Sequence, residues 1–472
     1  MLLLGFYRSG SWILDPNGAP ILTDFTPMWL AGREALAGHA AAAYDSRHFG
    51  EIQTEFVGPH AGQYPWPYPP IFFLPAAVVA LLPYGWAFLA WQAATLAGCV
   101  AVGYRILHDG LTPLAILAAP LSLLNAYVGQ NGFLTAALIG AGLSFLERWP
   151  VIAGVCFGCL FYKSQFLLLF PLLFAVARHW RALAATVAAG ALLAIASSLA
   201  FGVEPWLAFP AALTERAQAA LVVQDLAWGK LQSVYGLARA LGLGALPAGI
   251  VHAILALLVA ALACLIWRRR GSFDVKAAAA ASAALIVTPY LFAYDMVAIV
   301  IPGAFLVKDL IERGGTRREH AAILGLFCGL FAMFAGAGIV PLGAIVNLLL
   351  FSLIARRTFR GPRDVRRRRD RAARRDCQSA AVQPDRPARL SRPGAIAGRV
   401  SSGRAPASRI RQASTTAINA VASSGTKPRP TSASNNGAVH TNRANSERNS
   451  ALPSSAASTI HNVAAIASST VS

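Results

Sequence analysis

The sequence predicts an all-α fold: a polytopic bundle of transmembrane helices over residues 1–355, with about ten to twelve crossings by hydropathy, and a disordered basic tail over residues 356–472. Three observations lead there. The chain is 56% hydrophobic and only 13% charged, against roughly a quarter charged in soluble domains. Apolar runs recur along its first three quarters. The basic charge is not spread with them, because residues 356–472 hold 22 of the 41 Lys and Arg but five of the 21 acidic residues. Most of the formal net charge of +20 therefore belongs to the tail, and the rest is close to neutral. The high basicity is thus a property of one segment and is no evidence of a nucleic-acid-binding fold.

The apolar runs fall near 71–104, 111–127, 132–146, 149–162, 164–177, 183–202, 245–267, 275–290, 292–306, 321–338 and 341–355. Several are shorter than the roughly 20 residues a spanning helix needs. They meet at polar turns: Gly129, Gln130 and Asn131; Lys163, Ser164 and Gln165; Tyr294 and Asp295. Broken helices at membrane depth are tolerated only where they line protein or a watery cavity. The pattern points to a site rather than an anchor. The run 71–104 is expected to cross once, with Pro83 breaking it or with 71–83 as a short dipping helix. The opening MLLLGFYRSGSWIL lacks a basic leader and a cleavage site, and reads as the end of a first spanning helix.

Lys and Arg set the orientation. The basic connections at 105–108, 148, 178–181, 268–270, 308–318 and from 356 onward belong in the cytoplasm. Residues 15–70, the Gln130 and Lys163 turns, residues 203–244 and the Asp295 turn then share the opposite face. The stretch WLAGREALAGHAAAAY within 15–70 is expected to lie as a short helix at the interface. The tail is too polar and too poor in aromatics to offset its ordering entropy, and the run 366–369 is its best lipid contact. Cys156 and Cys159 have the spacing of a redox or metal pair, but in VIAGVCFGCLF they read as small residues of a membrane helix. The His residues show no metal-ligand spacing.

Several residues are candidates for chemistry. Asp24, flanked by Phe25 and Trp29, reads as a partly desolvated base or as an N-cap for a helix starting near Thr26. The run 64–70, YPWPYPP, offers Tyr68 to a sugar ring or to the interfacial aromatic belt. Gln130 and Asn131 supply amides for sugar hydroxyls, or close their own turn. Lys163 is a charge at membrane depth and wants an anion, either a lipid phosphate or a carboxylate such as Asp24 or Asp295; otherwise it snorkels to the surface. Asp295, beside Tyr294 and after Tyr290, is a similar intramembrane charge or a solvated helix end.

Taken in order, Asp24-Phe25 with Trp29 and Ala31-Gly32, Leu36-Ala37-Gly38, Tyr44-Asp45, Tyr68-Pro69-Pro70, Gly129-Gln130-Asn131, Lys163 with Gln165, Trp228 and Lys230 with Gln232-Ser233, and Thr288-Pro289-Tyr290 before Tyr294-Asp295 resemble glycosyltransferase family 87. That family is part of the C-superfamily of membrane glycosyltransferases. The resemblance implies a polyprenol-phosphomannose-dependent α-mannosyltransferase in the cell inner (plasma) membrane, acting outside the cytoplasm. It implies a polyprenyl-phosphate sugar donor, a lipid- or glycan-linked acceptor, and Asp24 as catalytic base. Lys163 and Lys230 would neutralise the donor phosphate. Tyr68, Gln130, Asn131, Gln165, Trp228, Gln232, Tyr290, Tyr294 and Asp295 would hold sugar or acceptor. The scheme needs no cofactor, since a monophosphate leaving group already has a cationic partner, and it is compatible with a bound divalent ion. The family's Lys-Pro is Lys163-Ser164 here, which alters the turn. A transporter or lipid-linked sugar flippase is the other class, and it expects an internal repeat that the sequence lacks.

Overall fold

A computed structural model describes residues 2–59, 63–218, 228–335 and 340–359. Helices dominate and no strand forms among the described residues, where only isolated bridges pair extended backbone. The chain runs α1 (Leu2–Arg8), α2 (Thr26–Leu36), α3 (Ser46–Val57), α4 (Phe73–Ala80), α5 (Tyr84–Leu107), α6 (Thr112–Ala118), α7 (Pro120–Val128), α8 (Gly132–Phe145), α9 (Pro150–Cys159), α10 (Ser164–Leu167), α11 (Leu169–Val176) and α12 (Trp180–Phe201). It continues through α13 (Glu204–Gln218), α14 (Val234–Ala240), α15 (Ala245–Arg268), α16 (Phe273–Val287), α17 (Val300–Arg313), α18 (Arg317–Ala335) and α19 (Leu342–Phe359). Short 3-10 turns at Pro70–Phe72, Leu160–Lys163 and Asp295–Ile299 lead into α4, α10 and α17.

Five stretches are long and apolar enough to cross a membrane unaided: Tyr84–Leu107, Pro150–Leu167, Trp180–Phe201, Ala245–Arg268 and Leu342–Phe359. Their outer faces are apolar. Leu257 on α15 is 71% exposed and Leu199 on α12 is 83% exposed, an arrangement that water would not tolerate over this area and that lipid requires. This is a membrane protein. The breaks expected from the sequence are all present, at Gly129–Asn131, at Lys163 and before Asp295. Pro83 separates α4 from α5, and α4 with its leading turn is far too short to cross, which is the dipping-helix alternative. The last helix runs to Phe359, a few residues beyond the expected boundary. The expectation of disorder in the rest of the tail concerns residues outside those described.

Small residues let these helices approach closely. The core helix α16 is buried on every side, with Ala277 to Ala281, Ala283 and Ala284 all shielded. It is pinned to α19 by Ser282, whose hydroxyl donates to Asn347 Oδ1 at 2.8 Å. On α9 the pair Gly154 and Gly158 meets α12, where a Cβ on Gly154 would sit 2.4 Å from Ala185 Cβ and 2.5 Å from Ala182 O. The Cys156 and Cys159 stretch is thus a glycine packing seam. Replacing Gly154 with Val is expected to cost at least the 1–3 kcal/mol typical of overpacking, measured as a lower melting temperature of the detergent-solubilised protein.

The stretch expected as one short helix divides into α2 and a 3-10 turn at Ala40–Tyr44. Most of α2 is buried, because Gly32 has no Cβ and α4 fills its place: a Cβ there would be 2.2 Å from Ala76 O.

Contacts gather the basic connections at one end of the bundle. Arg105 covers the Phe145 ring at the end of α8, and Glu147 lies in electrostatic reach of His179. The His179 ring meets Trp267 near the end of α15, and the Trp267 indole donates to Lys276 O. Lys308 pairs with Asp274 at 3.0 Å, while Arg357 pairs with Asp309 at 2.5 Å and Glu319 at 3.3 Å.

Candidate active site

The polar breaks converge on Asp24. Thr26 opens α2, and Thr23 and Thr26 both bond to the Tyr84 hydroxyl at 2.9 Å, while the backbone N–H of Asp24 donates to Val128 O at 3.0 Å. These bonds suspend the Asp24 backbone between α2, α5 and the end of α7. The N-cap position is held by Phe25, with no side-chain capping bond, so the carboxylate is not spent on the helix start. It is surrounded by protein yet keeps part of its surface accessible, as a group facing a crevice does. Burial pushes its pKa up to about 6; a Gln130 hydrogen bond and the charges of Lys163 and Lys230 limit the rise, and Asp295 adds to it.

The Gln130 turn builds the wall beside it. Gly129 ends α7 at φ +82°, where a Cβ would meet the Phe88 ring at 2.5 Å, so glycine is required on both counts. Gln130 Oε1 accepts from the Tyr68 hydroxyl and from Asn131 N–H, each at 3.1 Å. Asn131 donates from Nδ2 to the Tyr68 hydroxyl at 2.9 Å and accepts from the Trp91 indole at 3.0 Å. Both polar atoms of its amide are thus bonded to protein. Tyr68 is buried among Trp66, Phe72 and Tyr162, which hides its ring and commits its hydroxyl to the turn. The turn closes on itself through the Gln130 side chain and Asn131 N–H, and the same Gln130 side chain hydrogen-bonds Asp24. Tyr68→Phe is expected to lower activity by about tenfold while leaving the melting temperature within a few degrees, because it frees Gln130 without opening a cavity.

Two loops close the site. Gln232 N–H donates to Leu291 O at 2.6 Å and Ala293 N–H to Lys230 O at 3.0 Å, a short antiparallel pairing centred on Leu231 and Phe292. This clasp brings Lys230 to the Asp295 turn. Lys230 is half-buried and in electrostatic reach of Asp24, and burial lowers its pKa. Lys163 meets one of the two carboxylates offered as its partner: its Nζ lies 2.6 Å from Asp295 Oδ1, and both side chains are almost wholly shielded. Its Nζ also sits 5.3 Å from the centroid of the Tyr294 ring. Tyr294 stacks on Phe292 and is in electrostatic reach of Asp24, Asp295 and Tyr68.

The remaining expected residues divide. Gln232 is fully buried, its Oε1 accepting from Gly343 N–H at 2.7 Å and its Nε2 donating to Gly229 O. It therefore anchors the loop to α19. Trp228 packs on α14, against Tyr235 and under the Arg239 guanidinium at 4.4 Å. Tyr290 is half-buried near Tyr235, its backbone held by Thr288. Gln165 lies half-buried on α10, two residues past Lys163.

Sequence reasoning missed Thr23, Tyr84, Trp91, Gln92 and Asn125. Gln92 Nε2 donates to Gln130 O at 3.2 Å and Asn125 Nδ2 to the same oxygen at 3.1 Å, so both hold the turn from behind. Their signal was present, since an amide inside an apolar run is costly unless it is bonded. Gly132 was also needed: a Cβ there would fall 2.6 Å from both Asn125 Oδ1 and Tyr294 O. Gly132→Ala is expected to part the Asn131 and Asp295 turns, with activity falling more than stability, as read from transfer rates beside melting curves. No group of three or more metal-ligating side chains gathers among the described residues.

The model of glycosyltransferase family 87 matches residues 66–292, which bears out the family that the ordered motifs resemble. The match holds Tyr68, Gln130, Asn131, Lys163 and Lys230; Asp24 precedes it, and Tyr294 and Asp295 follow within three residues. Neither the curated proteins nor the solved structures hold a match to this chain.

Proposed function

We propose, on the premise that this chain is a membrane glycosyltransferase of the family 87 type, that it moves a hexose, mannose by the family's habit, from a polyprenyl-phosphate donor to a lipid- or glycan-linked acceptor. The reaction takes place on the non-cytoplasmic face of the inner membrane. The observation that carries this reading is Asp24, a crevice-facing carboxylate with its pKa pushed up to about 6 and two lysines within electrostatic reach. A base is most effective when its pKa lies near the working pH. The orientation rests on the basic connections sharing the far end of the bundle from Asp24. The short helices complete the crossings that the five long ones begin.

In the reaction the acceptor oxygen attacks the anomeric carbon from the face opposite the phosphate. Asp24 takes the hydroxyl proton as the new bond forms. The bond between the anomeric carbon and the phosphate oxygen breaks, its electron pair stays with the oxygen, and polyprenyl phosphate leaves with inversion at carbon. Lys230 meets the negative charge that develops on the phosphate. Lys163 contributes through Asp295 and Tyr294, whose positions its ion pair sets. Gln130 orients the Asp24 carboxylate, and Tyr68 orients Gln130.

The test is transfer of a radiolabelled hexose from a synthetic polyprenyl-phosphate donor by purified protein in lipid. Lys230→Met is expected to raise the donor KM by about tenfold or more, the worth of one charge-assisted contact, with the melting temperature unchanged. An unaltered donor KM would remove Lys230 from the phosphate.

A further inference from the structure

We propose that Tyr64 is the ring on which a sugar of the acceptor's glycan stacks at the aqueous mouth of the site, and that α3 holds it there through Gln53; this rests on the transferase reading above. Tyr64 is half-buried and lies in electrostatic reach of Tyr294, which itself reaches Asp24 and Asp295. Its ring therefore stands beside the reacting groups, whereas the ring of Tyr68 is packed among other aromatics.

A buried amide fixes the backbone beneath that ring. Gln53, on α3, is 1% exposed. Its Oε1 accepts from Tyr64 N–H at 2.8 Å, and its Nε2 donates to Tyr64 O at 2.8 Å and to Phe49 O at 3.2 Å. One side chain thus grips both polar backbone groups of a single loop residue. Beside it the Gln63 amide lies where a Cβ on Gly50 would stand, and it donates to Thr54 Oγ1 at 3.3 Å. Pro65 keeps the Tyr64 backbone extended. Trp66, fully buried against Phe72 and Phe73, anchors the other side. An amide is costly to bury unless it is bonded, and here its bonds serve the position of a half-exposed aromatic. Such a ring is presented already ordered, which lowers the entropy cost of binding to it.

The surroundings select the substrate. On the outer side of α3 the Arg47 side chain is 91% exposed and that of Glu51 64% exposed, and His48 and Glu55 are exposed as well. Charges at that exposure stand in water, so α3 and the loop it grips lie outside the hydrocarbon. A donor sugar is tied through its phosphate to a polyprenyl chain and comes to Asp24 from the bilayer. A sugar that comes in across a water-facing loop belongs to a glycan. The C–H face of a pyranose is apolar and suits the face of a tyrosine ring. The acceptor class is therefore a glycan in which the sugar that attacks at Asp24 is joined to a further sugar, and Tyr64 receives that neighbour.

Binding is tested without a donor. Saturation-transfer NMR on the purified full chain in lipid nanodiscs, with mannotriose and maltotriose as separate probes, is expected to show saturation of ring C–H protons in at least one of them. Tyr64→Phe should keep that signal and Tyr64→Ala should lose it. No signal from either probe with wild type, an undiminished signal in Tyr64→Ala, or loss in Tyr64→Phe overturns the stacking role whatever the enzyme transfers. In the transfer assay, Tyr64→Ala should raise the acceptor KM by about tenfold with the donor KM unchanged. An unaltered acceptor KM, or a rise in the donor KM instead, overturns the acceptor reading. Gln53→Leu should raise the acceptor KM alike with kcat retained, and adding it to Tyr64→Ala should change nothing further, because both variants remove one contact. Additive losses, or a fall in kcat, would give Gln53 a structural role and overturn its part in holding Tyr64 for the substrate.

Discussion

Asp24→Asn is expected to lower the transfer rate by about 10²–10⁴-fold, the usual worth of a positioned general base, while the protein still folds. Asparagine keeps the shape and can accept a hydrogen bond from Gln130, but it cannot take a proton. The wild-type rate should rise with pH through about 6, where Asp24 loses its proton, and level off above. The stability consequence has the opposite sense. Because burial raises this pKa, the folded state binds the Asp24 proton more tightly than the unfolded state does. Its contribution to stability is therefore greatest below about pH 4 and is lost as pH rises through about 6. Asp24→Asn should then melt higher than wild type at pH 7.5, with the gap closing at pH 4.5. Near-wild-type turnover in Asp24→Asn, or a pH–rate profile flat between 5 and 8, would remove Asp24 as the base.

Lys163→Met is expected to destabilise the protein by about 3–5 kcal/mol, because it leaves Asp295 buried without its counter-ion. The pair is short and almost fully shielded, so little solvent screening softens the loss. Lys163→Met combined with Asp295→Leu should recover most of the melting temperature, since an apolar pair of similar volume is often neutral in place of a buried ion pair. The coupling read from that double-mutant cycle should exceed 1 kcal/mol. Activity should not return with stability, because Tyr294 and the clasp that carries Lys230 lose their fixed reference. A double variant that regains full activity would show that the pair serves the fold alone. A Lys163→Met protein that melts like wild type would show that the pair contributes nothing.

The two lysines show how far residue type can be read. From the sequence, Lys163 and Lys230 are both cations near a phosphate, and Lys163 is the more conspicuous because it interrupts an apolar run. In the fold it is the one already neutralised. Its partner lies 132 residues away, and no local pattern ties the two together. Gln232 is similar: beside Lys230 it reads as a sugar contact, and in the fold its amide also bonds Gly229 and Gly343, 111 residues on. Tyr68 keeps its place at the site, but with its ring packed and only its hydroxyl in the network.

What the sequence determined by itself was the helical membrane architecture, the places where helices break, the separation of basic charge from polar turns, and the family resemblance. These are local properties. Hydropathy over a spanning length, proline and glycine at a break, and the cost of a bare polar group in lipid act through neighbouring residues and are written in consecutive letters. Only the tertiary structure decided which charges are paired, how far Asp24 is shifted, which amides are bonded and which loop backbone Gln53 holds. Those depend on distances between segments far apart in the chain. A difference of a few ångströms there decides whether a buried lysine is paired or bare.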